Sequence, residues 1–533
     1  MFKTVILIFI HTIYIYLFCK TMTKLNSLRL LIHSMTQSEK KTFRMKTNRK
    51  KNDPDYLILY DIIEKNREKP LSFYRSEYLK LKPGASFETT VKYLFELLLE
   101  SMQELRKDRD NFYHLFDKIF KARILFEKSL LDESFEMLDY VIGHSEQYEN
   151  YHALLLASRM ELEYLLALNF PNISEKMLLK KQFKLNEILN YLRKINAQSA
   201  LYEILKHRVI TKGHPRTQKQ KEELNDLVFS EISIVASLNL YNFEISKLHQ
   251  LFQANYLISV GDYKSALNAY IELNNLFEAN KHLWSDHPVY YLHTLEGVLE
   301  SLRSIHNYEG MTHFINQLKV IETQSADFRI NLTCITFLYE LFPFLDRGDF
   351  TSSMALMNEY REKLYDKLFT LGRARQAELC LYTSLIFFGN AEYLKAHRFL
   401  NQIILRGKNY YYLPLYRTIR LVNLIILYKM GDYDLIRYEI RSMKRDIAGA
   451  TKDYKIERFL FRFLCRQMPT VAFRRQLLLE KTMKDFGEIR QDVFERQILR
   501  IFDFTAWVES LIRRIPLSDV LHQRIGSESF QEN

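Results

Sequence analysis

One short pattern constrains this chain more than any other: a glycine, an acid and an aromatic residue set between two apolar helical stripes. It is clearest at Gly261-Asp262-Tyr263. Before it, Leu251, Ala254 and Ile258 recur at three and four residues, and after it Tyr263, Ala266, Leu267 and Tyr270 do the same. That is the spacing of one helix face. Glycine closes a helix by taking the left-handed conformation. The aspartate after it accepts free amides at the start of the next helix, and Ala266 is small enough for the two helices to approach closely. The pattern therefore predicts a helical hairpin. It recurs at Gly348-Asp349-Phe350, followed by Met354 and Met357, and at Gly431-Asp432-Tyr433, followed by Ile436 and Ile440. Weaker copies are His306-Asn307-Tyr308 with Met311, Ala391-Glu392-Tyr393 with Ala396 and Leu400, and an earlier Ser129-Leu130-Leu131 with Ser134 and Leu138. From residue 261 the turns advance by 45, 42, 43 and 40 residues. A hairpin cannot bury its apolar face alone, so a series with a near-constant step is expected to stack.

Composition agrees with helices. Of 533 residues, 14 are glycine and 10 proline, less than half of the usual shares of about 7% and 5%. Strand-rich folds need more turn chemistry than that. The 47% hydrophobic content excludes a disordered chain, and four cysteines are too few for a disulfide scaffold. The expected fold class is all-α: an α-solenoid of stacked antiparallel helical hairpins, with a period of about 43 residues, preceded by a small helical block. Residues 1–21 read as an apolar leader, 23–110 as a basic helical N-terminal block and 111–205 as helical repeats. Residues 206–222 read as an exposed basic loop, 223–515 as further repeats and 516–533 as a polar tail.

The G-D-Y-x-x-A-L pattern resembles the second half of the tetratricopeptide repeat. Gly261, Tyr263, Ala266 and Tyr270 fall where that family has its turn glycine, tyrosine, small alanine and aromatic residue, and Ala254 falls at its small first-helix position. The family's period is about 34 residues, so this array departs from it, and the family's Trp and closing Pro are missing from most copies. The residues carrying the likeness are Gly261, Asp262, Tyr263, Ala266, Tyr270, Tyr308, Gly348, Phe350, Tyr393, Ala396, Gly431 and Tyr433. The opening LIHSMTQSEKKTF and closing FDFTAWVESLIRRIPLSDVL make the whole chain similar to large helical-repeat proteins of Bacteroidetes-type bacteria. The resemblance implies a scaffold that binds a protein or peptide partner on its concave surface, and it brings no activity with it.

The sequence carries no established catalytic motif. There is no G-x-x-x-x-G-K-S/T, no G-x-G-x-x-G and no H-E-x-x-H. Asp485-Phe486-Gly487 lacks the other kinase elements. His282, Asp286, His287 and His293 match no metal spacing, and Cys19, Cys334, Cys380 and Cys465 are too dispersed for a zinc site, so they read as buried free thiols. The run Tyr410-Tyr411-Tyr412, with Tyr416 near Lys408 and Arg417, reads as inter-helix packing, although such groups also stack on single-stranded bases. No enzyme, cofactor or metal is expected.

Net charge is +12. Thr36-Gln37-Ser38-Glu39 is a capping box, so a helix should start near Gln37. It carries Lys40, Lys41, Arg44, Lys46, Arg49, Lys50 and Lys51. Those bases make a nucleic-acid-linked regulator the second reading, with the repeats as its sensor. Between Lys3 and Lys20 lies an uncharged apolar run of 16 residues, about 24 Å as a helix against a bilayer core of about 30 Å. It has no small-residue cleavage site. The preferred reading places the true start at Met22 in a cytoplasmic protein; an inner-membrane anchor and a signal peptide are the alternatives. The sequons at Asn172 and Asn331 have no role in an intracellular protein.

Overall fold

The structure is a computed structural model. It describes the chain except for residues 1–23, 48–53, 68, 108–109, 237–241, 285–287, 324, 449–453, 467–468 and 529–533. The apolar leader and Arg49, Lys50 and Lys51 therefore lie outside the described residues. Among the described residues all regular structure is helical. The chain divides into two compact units, residues 1–189 with 324–326, and residues 190–323 with 327–533.

The first unit opens with a helix at 24–34, followed by Gln37–Thr47, Asp55–Lys65, Leu71–Leu81 and Phe87–Lys107. The capping box forms as its sequence dictates: the Thr36 amide donates to Glu39 Oε2 at 2.8 Å, and the Glu39 amide donates to Thr36 Oγ1 at 3.2 Å. Leu28, Ile32, Phe43, Tyr60, Tyr78 and Leu94 close a core of their own. Helices Asn111–Glu127, Leu131–Gln147 and Tyr151–Ala167 share a second core that includes Ile119, Ala122, Leu138 and Ala157. Ser129 takes φ +63° at the turn between the first two of these three.

In the second unit the expected turns each join two helices. The pairs are Phe243–Val260 with Tyr263–Ala279, Val289–Ser304 with Tyr308–Lys319, Ala326–Arg347 with Phe350–Glu359, Arg373–Gly389 with Tyr393–Ile404, and Pro414–Met430 with Tyr433–Ala448. One residue in each turn is left-handed: Gly261, His306, Gly348, Ala391 and Gly431, with φ from +57° to +82°. The residue after it donates its amide five residues back, as Asp262 does to Leu257 O at 3.0 Å and Asp349 to Phe344 O at 2.9 Å. This is the bond that satisfies the orphan carbonyls at a helix end. The side chains of Asp262, Asn307, Asp349 and Asp432 then accept an amide three residues ahead. Glu392 makes no such cap.

The aromatic residue of the turn has a job the sequence did not disclose. In two of the five hairpins it reaches the far end of the next hairpin's first helix. Tyr308 OH donates to Asp346 at 3.2 Å, and the Phe350 ring covers Gly389. Tyr270, on the second helix of its hairpin, likewise lies on Gly297. A Cβ at Gly389 would stand 2.0 Å from the Phe350 ring, and one at Gly297 would stand 2.2 Å from Tyr270. Ala266 and Ala396 are fully buried at the hairpin contacts, while Tyr263 stacks under Arg500, Tyr393 meets Phe388 and Tyr433 meets Tyr428.

Two neighbouring positions thus have opposite expected responses. Gly389→Ala should cost about 1–3 kcal/mol, because it overpacks a filled contact. Ala391→Gly should gain up to about 1 kcal/mol, because it relieves a left-handed alanine. Urea unfolding of the two variants checks this, and equal signs would refute the packing described.

Two expected segments differ in the structure. Residues 206–222 are not one open loop. Residues 206–212 belong to the helix Glu175–Lys212, and Gln218–Glu222 is a short helix. Pro215 is buried and Arg216 lies 4.5 Å from the centre of the Tyr454 ring. The polar tail contains a helix, Leu517–Glu528, in which Val520 is buried and Arg524 pairs with Asp503 and Glu509. Both segments carry bases that find acids or rings within the unit, which composition alone does not reveal. The helix Ala326–Arg347 is long and apolar enough to cross a membrane, the only such one among the described residues, and most of it is buried in the unit's core.

Candidate functional site

The first helices of the second, third and fourth pairs bring charged residues together. Arg303 is 2% exposed and donates to both oxygens of Asp346, each at 2.9 Å. It also donates to Tyr382 OH at 3.2 Å and to the carbonyl of Arg500 at 3.0 Å, and its guanidinium lies 3.5 Å from the centre of the Phe342 ring. Arg500 in turn reaches Glu300 at 2.6 Å and Ser304 at 3.0 Å. Tyr339 OH donates to Glu300 and to the carbonyl of Glu296. Glu296 pairs with Arg375, which also holds Glu378 at 2.6 Å. The result is one chain of polar contacts, Asp346–Arg303–Arg500–Glu300–Tyr339–Glu296–Arg375–Glu378. Residues two hairpins apart meet directly in it. Lys206 and His293 stand at its margin, where Glu296 acts on both.

Burial and pairing set the protonation of these groups. Burial works against the Arg303 charge, but Asp346 more than offsets it and the guanidinium pKa is raised. Burial likewise opposes the Glu296 carboxylate, yet Arg375 holds it below the ordinary value. At Glu378 burial prevails and raises the carboxyl, because Arg375 is shared. Burial lowers Lys206 and His293. It raises the Cys380 thiol to about 12 and raises Cys334 further, which makes both poor sources of thiolate. The expectation of buried thiols does not extend to Cys465, which is exposed.

His214 lies close to this chain. Burial, then the charge of Arg500, depress its imidazole to about 4. A depressed histidine is neutral when folded and takes up a proton on unfolding. Its contribution is complete above pH 6.5 and is lost as pH falls from there through 4. Wild type should lose about 2–3 kcal/mol across that window relative to His214→Gln. Parallel pH profiles of unfolding free energy for the two proteins would exclude this role.

In the sequence-predicted basic helix, three of the four described bases are paired with acids. Lys40 pairs with Glu64 at 3.1 Å, Arg44 with Glu64 at 2.6 Å and Asp61 at 2.9 Å, and Lys46 with Glu104. Lys41 is exposed. A hollow of about 340 Å³ lies against Lys40, Lys41, Arg44 and Glu64, so an acid shares the space with the bases. The tyrosine run divides: Tyr410 is buried and bonds Gln376 at 2.8 Å, whereas Tyr411 and Tyr412 are exposed. Among the described residues no three His, Cys, Asp or Glu side chains are placed to hold a metal ion. Asp286 and His287 lie outside the described residues.

The polar chain was missed in the sequence. Its members sit among core residues on apolar helices, and the only signal was charge within stripes such as LHTLEGVLESLRS. Compared with protein-family models, curated proteins and solved structures, the chain has no match in any of the three.

Proposed function

We propose that this protein is a non-enzymatic scaffold, a tetratricopeptide-like helical array that binds a segment of another protein along the faces its first helices turn to one another. The observation that carries this reading is the polar chain itself. Glu296, Arg375 and Glu378 each keep between a fifth and about a quarter of their side-chain surface in solvent, and His293, though its ring is crowded by protein, still reaches solvent beside them. Buried ion pairs alone give little stability, whereas partly open ones on rigid helices offer both signs of charge to a peptide backbone and side chains. A second support is the repeated turn, which spaces these helices regularly.

The test is capture of partners from the source cell with wild type and with a His293→Ala/Glu378→Gln variant of unchanged circular dichroism. A partner crosslinked to the first helices of wild type and lost from the variant is the expected result. Identical capture by both proteins would refute this site.

A further inference from the structure

Two consecutive helices near the end of the array sort their charges in the same way. On Tyr433–Ala448, the mid-helix acid Glu439 is drawn to Arg420 at 2.6 Å. On Lys455–Phe463, the acid Glu457 is fully buried and pairs with Arg417. Both inward arginines belong to the same helix, Pro414–Met430. With those acids turned inward, the solvent faces carry arginine. Arg437, Arg441 and Arg445 are exposed at successive steps of four residues, with Lys444 beside them, and Arg458, Arg462 and Arg466 repeat that spacing. Among the described residues only Arg437 of these has an acid within pairing distance, Asp434 at 3.6 Å, and that pair is open to solvent. Steps of four residues set charges about 6 Å apart along a helix, and Arg466 lies just past the end of Lys455–Phe463.

Tyrosines are interleaved with the first stripe. Tyr438 is 59% exposed and Tyr433, edge-on to Tyr428, is 52% exposed, so planar cations alternate with solvent-facing aromatic rings. Arginine forks match phosphate oxygens, and exposed rings next to them stack on bases without regard to sequence. An acidic peptide would use the arginines and leave the rings idle. A membrane surface would want apolar side chains beside the bases, and Leu435 is the only exposed aliphatic residue on the described part of Tyr433–Ala448.

We infer that the faces of Tyr433–Ala448 and of the 455–466 segment form a binding surface for single-stranded nucleic acid, independent of the peptide site proposed above. This relocates nucleic-acid contact from the N-terminal basic helix, where Lys40, Arg44 and Lys46 are paired with Glu64, Asp61 and Glu104.

The experiment uses the full chain and fluorescent 20-nucleotide oligo-uridine and oligo-thymidine probes over a salt series. Affinity should fall steeply with salt, by about 0.7 log units per decade for each phosphate contacted. Arg441→Ala/Arg445→Ala or Arg458→Ala/Arg462→Ala should weaken binding at least tenfold and reduce the slope by about 1.4. Tyr438→Ala should weaken it at least threefold at unchanged slope. Retained affinity in both arginine variants would overturn the proposal. So would absence of oligonucleotide binding by a wild-type chain that binds phosphatidylserine vesicles, or loss of binding only in Lys40→Ala/Lys41→Ala/Arg44→Ala.

Discussion

Replacing Arg303 by alanine should cost about 3–5 kcal/mol, which is the range for breaking a buried ion pair from one side. The reason lies in how many groups depend on one guanidinium. Asp346 would be left with Tyr308 OH as its donor, and the Arg500 carbonyl and Tyr382 OH would each lose a partner. The void would open against the face of Phe342. Arg303→Lys separates charge from geometry. It keeps the cation but cannot reproduce the two-pronged bond to Asp346 or the flat stack on Phe342, so it should recover less than half of the loss. Urea unfolding followed by circular dichroism measures both. An alanine variant within 1 kcal/mol of wild type would show that the pair is incidental to the fold.

What the sequence discloses here is local. The left-handed residue, the capping side chain and the small alanine act within a few residues of each other, so Gly261-Asp262-Tyr263 can be read without knowing the rest of the chain. The weaker turns were legible too, since His306 and Ala391 take the same conformation without glycine. The partners of each turn were not. Nothing near Phe350 says that its ring needs Gly389, and nothing near Arg375 says that its acid is Glu296, 79 residues earlier. The charge count was misleading for a related reason. Three of the four bases at 40–46, conspicuous in sequence, are paired with acids from other helices, whereas the arginines at 437–466 are diluted by acids that the fold turns inward. Whether a charge is available depends on pairing across helices, and a linear reading does not contain it.

A chain ending at Gln491 should lose cooperativity throughout its second unit, well beyond its own end. In a simple stack each repeat depends on its neighbours only, so trimming the last helices would leave the early hairpins as they were. Here the closing segment returns along the array. The Val493 side chain lies 2.9 Å from where a Cβ on Gly261 would stand, and the Ser518 backbone is equally close to Gly348. Arg500 holds Glu300 and Ser304, and its carbonyl accepts from Arg303. Phe502 meets Phe388, and Trp507 sits edge-on to Tyr428 and Phe463. One segment therefore touches all five hairpins through their turns or the first-helix ends beside them, as well as the helix that follows. Trp507→Ala alone should cost about 3–5 kcal/mol as a buried aromatic truncation, and truncation should cost more because every one of these contacts goes at once. The decisive measurement is amide hydrogen exchange in Val289–Ser304, nearly two hundred residues from the cut. Exchange there should accelerate at least tenfold, since Arg303 and Glu300 lose Arg500. If those amides exchange as slowly as in the intact chain, the array is a set of nearest-neighbour modules and its closing segment is only an end cap.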